Sequence, residues 1–323
     1  MPGLARFRRL SPLVLILLVQ LQSPPWLVAL PENAGKPDSS KLRELVRQAL
    51  DNRKAREPLQ TNYTYLAHSR QVEFDRQGRP KGSNTDLYDI VFLSGSQYLR
   101  HIRHNDQPLP PEQQMQDQAA REAFAREHAS RDGNPTGPAF SFQTDLSFPY
   151  AQLADEFDLR WKGRAPLDGR TVCLVDALPK EKQGPLTHDQ DYARNFKVRL
   201  WIDEAEKQIV KVEAEVVKDG LVLYPPTLTI SNPGASQPPQ AAGPGKTRLA
   251  VERGTIMSMQ WTKVNDEAWL PIQAATKARE KVLLDPSLYD KPLNLKIEDE
   301  WTYSDYKKFR VDTRIEPELK SHM

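Results

Sequence analysis

The carboxylates of LNLKIEDEWTYSDY, residues 293–306, are the first candidates for chemistry. At a strand's period of two, Leu293, Leu295, Ile297, Trp301 and Tyr303 share one face, and Asp299 falls among them. A charge inside an apolar wall is costly unless paired, so an acid held there would be a polar anchor or a carboxyl with a perturbed pKa. The preferred expectation is the plainer one: a bulge or a sheet edge puts Asp299 in water, with Glu298 and Glu300 solvated beside it. His101 and His104 stand three apart, a spacing that sends them to opposite faces of a regular strand, so a metal pair is not expected. His68, His128 and His188 have no cysteine or carboxylate partners at ligand spacing.

Nucleophiles and nucleotide motifs fare no better. The sequence has no G-x-S-x-G, and its one cysteine, Cys173, sits in the apolar run RTVCLVDAL as a small buried hydrophobe. GPGKT, residues 243–247, ends like a phosphate-binding loop, but Gln240 stands where the first glycine belongs and prolines surround it. A hydrolase built on Asp299 would need a second acid or base, and the sequence offers none. The expectation is therefore a non-enzymatic protein with no catalytic residue, cofactor or metal. Trp161, Trp201, Trp261, Trp269 and Trp301 all lie in strand-like text, joined by Met257 and Met259 in TIMSMQW. Such side chains suit a pliable apolar ligand, although composition alone puts them in an ordinary core.

These residues depend on strands for their placement. In NFKVRLWIDEAEKQIVKVEAEVV, residues 195–217, Phe196, Val198, Leu200 and Ile202 alternate with polar residues, Trp201 excepted. After a polar turn, Val210, Val212, Ala214 and Val216 do the same, which describes a hairpin with one dry face. That face must pack on helices, on another sheet, or around something apolar outside the chain. Further strands are expected at 63–74, 85–93, 97–103, 158–165, 170–178, 221–230, 249–263, 268–280 and 293–311. Asp38, Ser39 and Ser40 precede Leu42, Leu45, Val46, Ala49 and Leu50 at helical spacing, giving a capped amphipathic helix ending near Arg53. Pro110 and Pro111 open a charged helix inside an insertion at 105–139, and residues 231–247 are too rich in Pro, Gly, Ala and Gln to pack.

Arg6, Arg8 and Arg9 before the apolar run Leu10–Val19, with Ala29 as a small cleavage residue, read as a cleavable secretory signal over 1–29. No cysteine is available there for lipid attachment, and a lone cysteine in the chain permits no intrachain disulfide. Setting aside the three leader arginines leaves 42 of the 45 basic residues against 43 acidic ones, which gives no electrostatic case for nucleic acid. A linker and helix at 30–60, one domain at 61–315 and a tail at 316–323 complete the expected organisation.

A leader, one amphipathic helix, a long meander, RLWIDEAEKQIVKVEAEV, EAWLPIQ and the terminal WTYSDYKKF together resemble the LolA/LolB-like superfamily. More narrowly, they resemble secreted proteins of the outer-membrane-lipoprotein-sorting type from Gram-negative bacteria, over roughly Tyr63 to Val311. The resemblance implies a mainly β protein with a few α-helices, a curved antiparallel sheet forming a half-barrel closed by helices. It also implies a periplasmic location and an apolar cavity that takes the acyl chain of a lipid or lipoprotein. On that reading Val198, Leu200, Val212, Met257, Met259, Trp269 and Trp301 line the cavity. Related folds also serve as stress sensors, so an interaction module with envelope proteins as partners is the alternative.

Overall fold

Asp38 caps the first helix as its sequence position suggests, accepting a 2.8 Å hydrogen bond from the Lys41 backbone N–H. This helix, α1, runs Ser39–Arg56, with Arg53, Lys54 and Arg56 in a last turn where cations complement the helix dipole. The computed structural model describes residues 36–75, 77–93, 96–129, 150–180, 191, 193–218, 221–223, 248–283 and 293–308. The leader, the loop 231–247, residues 130–139 of the insertion and the tail therefore lie outside the described residues, as does GPGKT.

A 3-10 turn, Glu57–Asn62, leads into the strands. These are β1 (Tyr63–Phe74), β2 (Pro80–Leu93), β3 (Ser96–His104) and β4 (Gln107–Pro108), then, after α2 (Pro111–Ala129) and α3 (Leu153–Glu156), β5 (Phe157–Leu167) and β6 (Arg170–Pro179). They continue with β7 (Phe196–Asp203), β8 (Ile209–Val216), β9 (Leu221–Leu223), β10 (Arg248–Val251), β11 (Ile256–Val264), β12 (Ala268–Leu283) and β13 (Leu293–Lys308). The sheet order is β4-β3-β2-β1-β13-β12-β11-β8-β7-β6-β5, with β10 also beside β12 and β9 beside β10. Every pairing is antiparallel. The protein is mainly β, and its curved sheet is a half-barrel that does not close on itself. Because β13 pairs with β1, the first four strands and the later ones form one continuous surface.

The hairpin of 195–217 forms at the expected places, and its alternation decides the core. Phe196, Val198, Leu200 and Ile202 are buried, as are Val212, Ala214 and Val216. α1 packs on β5 and β8 and buries Leu42, Val46 and Ala49, the leucine and valine side chains each being worth about 1.5–3 kcal/mol when fully withdrawn from water. Trp201 faces the other way and is covered by its cross-strand partner Lys211, whose Nζ lies 4.8 Å from the ring. One expected strand, 249–263, is divided into β10 and β11. Gly254 turns the chain there at φ +84, a conformation a side chain disfavours.

The β7–β8 turn clamps the end of α1. Glu206 meets Arg56 at 2.7 Å, Lys263 at 3.0 Å and Arg170 at 3.4 Å, while Asn52 Nδ2 donates to the carbonyls of Glu206 and Lys207. Burial pushes the Glu206 carboxyl up, but Lys263 and Arg56 outweigh it and hold it below the ordinary glutamate value.

Candidate functional site

Cross-strand partners project to the same side of a sheet, so registers show which residues share a face. One row runs Leu200, Val212, Met259, Ala274, Trp301, Ser69, Asp86 and His104 through successive neighbouring strands. The adjacent row runs Val198, Ala214, Met257, Thr276, Asp299 and Gln71. Both belong to the inner face, whose β7–β8 end is the dry side of the hairpin. Each row is aliphatic at that end and polar toward β1 and β2.

Six of the residues expected to line a cavity lie on these rows: Val198, Leu200, Val212, Met257, Met259 and Trp301, all buried. Trp269 is also buried, but it sits past an irregularity in the β11–β12 pairing at Gln260/Trp261, with the Arg170 guanidinium 4.9 Å from its ring. Trp261, on β11, is roofed by Arg53 of α1 at 4.5 Å.

Asp299 departs from the preferred expectation of an acid in water. No register shift interrupts β13 at this position, so the alternation holds and the carboxyl stays in the wall opposite Thr276 and Gln71. Burial pushes its pKa up from 3.8 to about 6, and the hydrogen bond from Trp301 Nε1, at 2.8 Å, pulls partly the other way. The charges of Asp86 and Glu300 add to the rise.

The histidines overturn the opposite-face expectation, for a definite reason. β2 and β3 shift register between Leu87 and Tyr88, so Leu87 faces Arg103 while Tyr88 faces His101. Ile102 is the extra residue, and such a bulge restores two side chains three apart to one face. His101 Nε2 and His104 Nδ1 then meet the same oxygen, Asp86 Oδ1, at 2.7 and 2.8 Å. Burial pushes the Asp86 carboxyl up, yet these two bonds prevail and leave it below its ordinary value.

Aromatic rings join the acidic groups. Tyr88 stacks on His101 at 4.8 Å and on Trp301 at 5.4 Å. It reaches Trp301 across β1 because the intervening partners, Ala67 and Ser69, are small. Sequence reading missed Asp86 and Tyr88, although the alternation of Asp86, Tyr88 and Ile90 in TDLYDIV places all three on one face.

Polar atoms interrupt the apolar floor. Tyr65 OH, Thr276 Oγ1, Trp261 Nε1 and Trp269 Nε1 are buried and have no hydrogen-bond partner among the described residues. Buried polar groups are ordinarily satisfied by protein, water or ligand. Cys173 is buried and its thiol is pushed up by that burial, the opposite of an activated nucleophile. On α2, Met115 is exposed among polar neighbours, and Phe124 packs on Tyr98 with ring centroids 5.3 Å apart.

No protein-family model matches the chain, and no curated protein matches it. Among solved structures it is similar to an outer membrane lipoprotein-sorting protein domain from Vibrio parahaemolyticus, at 14% identity over 87% of this chain and 96% of that one, with a TM-score of 0.31. It is similar to a LolA superfamily protein from Nitrosomonas europaea, at 8% identity, covering 84% of this chain and 94% of that one, with a TM-score of 0.30. It also matches the complex of MucA and MucB from Pseudomonas aeruginosa at 9% identity, covering 84% and 99%, with a TM-score of 0.23. The likeness to LolA-superfamily proteins noted in the sequence thus recurs in the structure. At these values it carries no argument about function, which rests on the chain's own residues.

Proposed function

We propose that the inner face binds an acyl chain, and that the protein is a periplasmic, carrier-like lipid- or lipoprotein-binding module without chemistry of its own. The supporting observation is the composition of the face: a floor of aliphatic, methionine and aromatic side chains carrying Tyr65 OH, Thr276 Oγ1 and two indole N–H groups with no partner among the described residues. Apolar lining with a few convergent polar groups and one perturbed acid is the usual make-up of a small-molecule site. At about 0.8 kcal/mol per buried CH2, a chain of about 12 methylenes yields roughly 10 kcal/mol before the costs of association. The leader-like residues 1–29 and the sequence resemblance support the periplasmic location. No helix among the described residues is long and apolar enough to cross a membrane.

A titration with a fluorescent fatty acid tests this reading. Saturable binding that Met259→Glu abolishes, and that Trp201→Ala on the outer face leaves intact, supports it. Absence of saturable binding contradicts it.

A second reading rests on Asp299 and Asp86, carboxyls on one face whose environments shift them in opposite directions. Such a pair can divide the roles of general acid and general base. A bell-shaped pH profile of ester hydrolysis lost in both Asp299→Asn and Asp86→Asn would support it; hydrolysis indifferent to either substitution would remove it.

A further inference from the structure

We infer that Asp86, His101 and His104 form a binding site for a divalent first-row transition metal, of the kind that takes Zn2+. One carboxylate oxygen and two imidazole nitrogens offer ligand atoms that all lie within 4.8 Å of one another. Two imidazoles and a carboxylate suit Zn2+ and its first-row neighbours, and three protein ligands leave a position for water or another donor.

The chain builds the cluster and aims it. Ile102, the bulged residue of β3, is what turns His101 and His104 to the same side as Asp86. Asn105 follows in the turn at φ +48, a conformation that asparagine tolerates. Its Oδ1 accepts from the Thr85 backbone N–H at 3.0 Å, which leaves Nδ2 to face His104 Nε2 at 3.1 Å. Nδ2 is a donor, so His104 Nε2 accepts and Nδ1 carries the proton that faces Asp86 Oδ1; coordination through Nδ1 moves that proton to Nε2 and ends the Asn105 contact. His101 is held by stacking on Tyr88. Packing of a ligating ring against a neighbouring aromatic, as of His101 on Tyr88, orients it from outside the ligand shell.

The spacing is right for an ion to enter. His101 Nε2 and His104 Nδ1 lie 2.7 and 2.8 Å from Asp86 Oδ1. Ligand atoms about 2.0–2.1 Å from a tetrahedral ion stand about 3.4 Å apart, so a small side-chain rotation admits the metal. The three side chains are 18%, 29% and 38% exposed, which leaves them within reach of solvent. Binding displaces the hydrogen bonds of His101 Nε2 to Asp86 Oδ1 and to the Arg103 carbonyl and of His104 Nδ1 to Asp86 Oδ1, shifts each ring proton to the opposite nitrogen, and in exchange forms three coordinate bonds that tie β2 to the bulge of β3. This site is independent of whether the inner face holds an acyl chain.

Isothermal titration of the untagged, metal-stripped protein with Zn2+ tests the inference, using His101→Gln, His104→Gln and Asp86→Asn. His68→Ala is the control, since His68 is exposed on the opposite face of β1. The expected result is one equivalent of Zn2+ bound at micromolar or lower Kd. Each of the three substitutions should weaken it at least tenfold, and His68→Ala should leave it unchanged. Visible absorption of the Co2+ form reads the same site in any variant whose circular dichroism matches the parent. Absence of stoichiometric binding to the parent protein, or equal binding by the folded cluster variants, overturns the inference.

Discussion

Replacing Asp299 with asparagine should stabilise the protein, and only at the upper end of the pH range. The carboxyl's rise from 3.8 to about 6 corresponds to about 3 kcal/mol of differential stability between its two protonation states, at about 1.36 kcal/mol per tenfold change. Asparagine keeps an acceptor for Trp301 Nε1, and the pull of that 2.8 Å bond on the charged form is already contained in the net rise to about 6. The net expectation is a gain of about 3 kcal/mol above pH 7. The sign follows from proton linkage: a raised folded pKa means the native state holds the proton more tightly than the unfolded chain. Wild type therefore gains on the variant as pH falls through 6, and the advantage of asparagine is gone by about pH 4. Urea unfolding of both proteins between pH 4 and 8, followed by fluorescence of Trp161, Trp201, Trp261, Trp269 and Trp301, measures it. A stability difference that does not change with pH would refute the placement of Asp299 in the wall.

Leu200→Ala should destabilise by about 2–5 kcal/mol, because Leu200 is fully buried under α1's side of the sheet, whereas Trp201→Ala on the outer face should cost much less; the same denaturation assay compares them. Glu206→Gln should lower stability at pH 7 and make no difference in acid. Its partners hold the folded carboxylate below 4.5, so its contribution is present above that value and is lost as pH falls through the folded pKa. Fatty-acid affinity should rise as pH falls from 7.5 to 5.5, since Asp299 loses the charge that opposes a carboxylate, and Asp299→Asn should flatten that dependence in the fluorescent-probe titration.

The parts of the fold legible in the sequence were those written in local alternation. The hairpin 195–217 declared both its strands and its dry face, and Asp38 with Leu42, Val46 and Ala49 declared α1 and its buried stripe. What could not be read was pairing between distant segments. The β13–β1 and β11–β8 ladders bring residues about 230 and 45 positions apart into register, and they set Asp299 beside Gln71 and Met259 beside Val212. The histidine cluster was hidden for a different reason. A single extra residue, Ile102, reverses the parity of the strand beyond it, and nothing in QYLRHIRHND marks where that bulge falls. Asp299 shows the converse: simple alternation placed it in the wall correctly, and the expectation of a bulge there was the error.

The most direct test of the central claim is native mass spectrometry of the protein released from a periplasm without detergent, followed by organic extraction of whatever it carries. The account predicts a discrete added mass that extracts as a fatty acid or phospholipid and is absent from Met259→Glu. A bare protein mass that stays bare after incubation with fatty acids and phospholipids would contradict it, and would make the inner face of the sheet ordinary core.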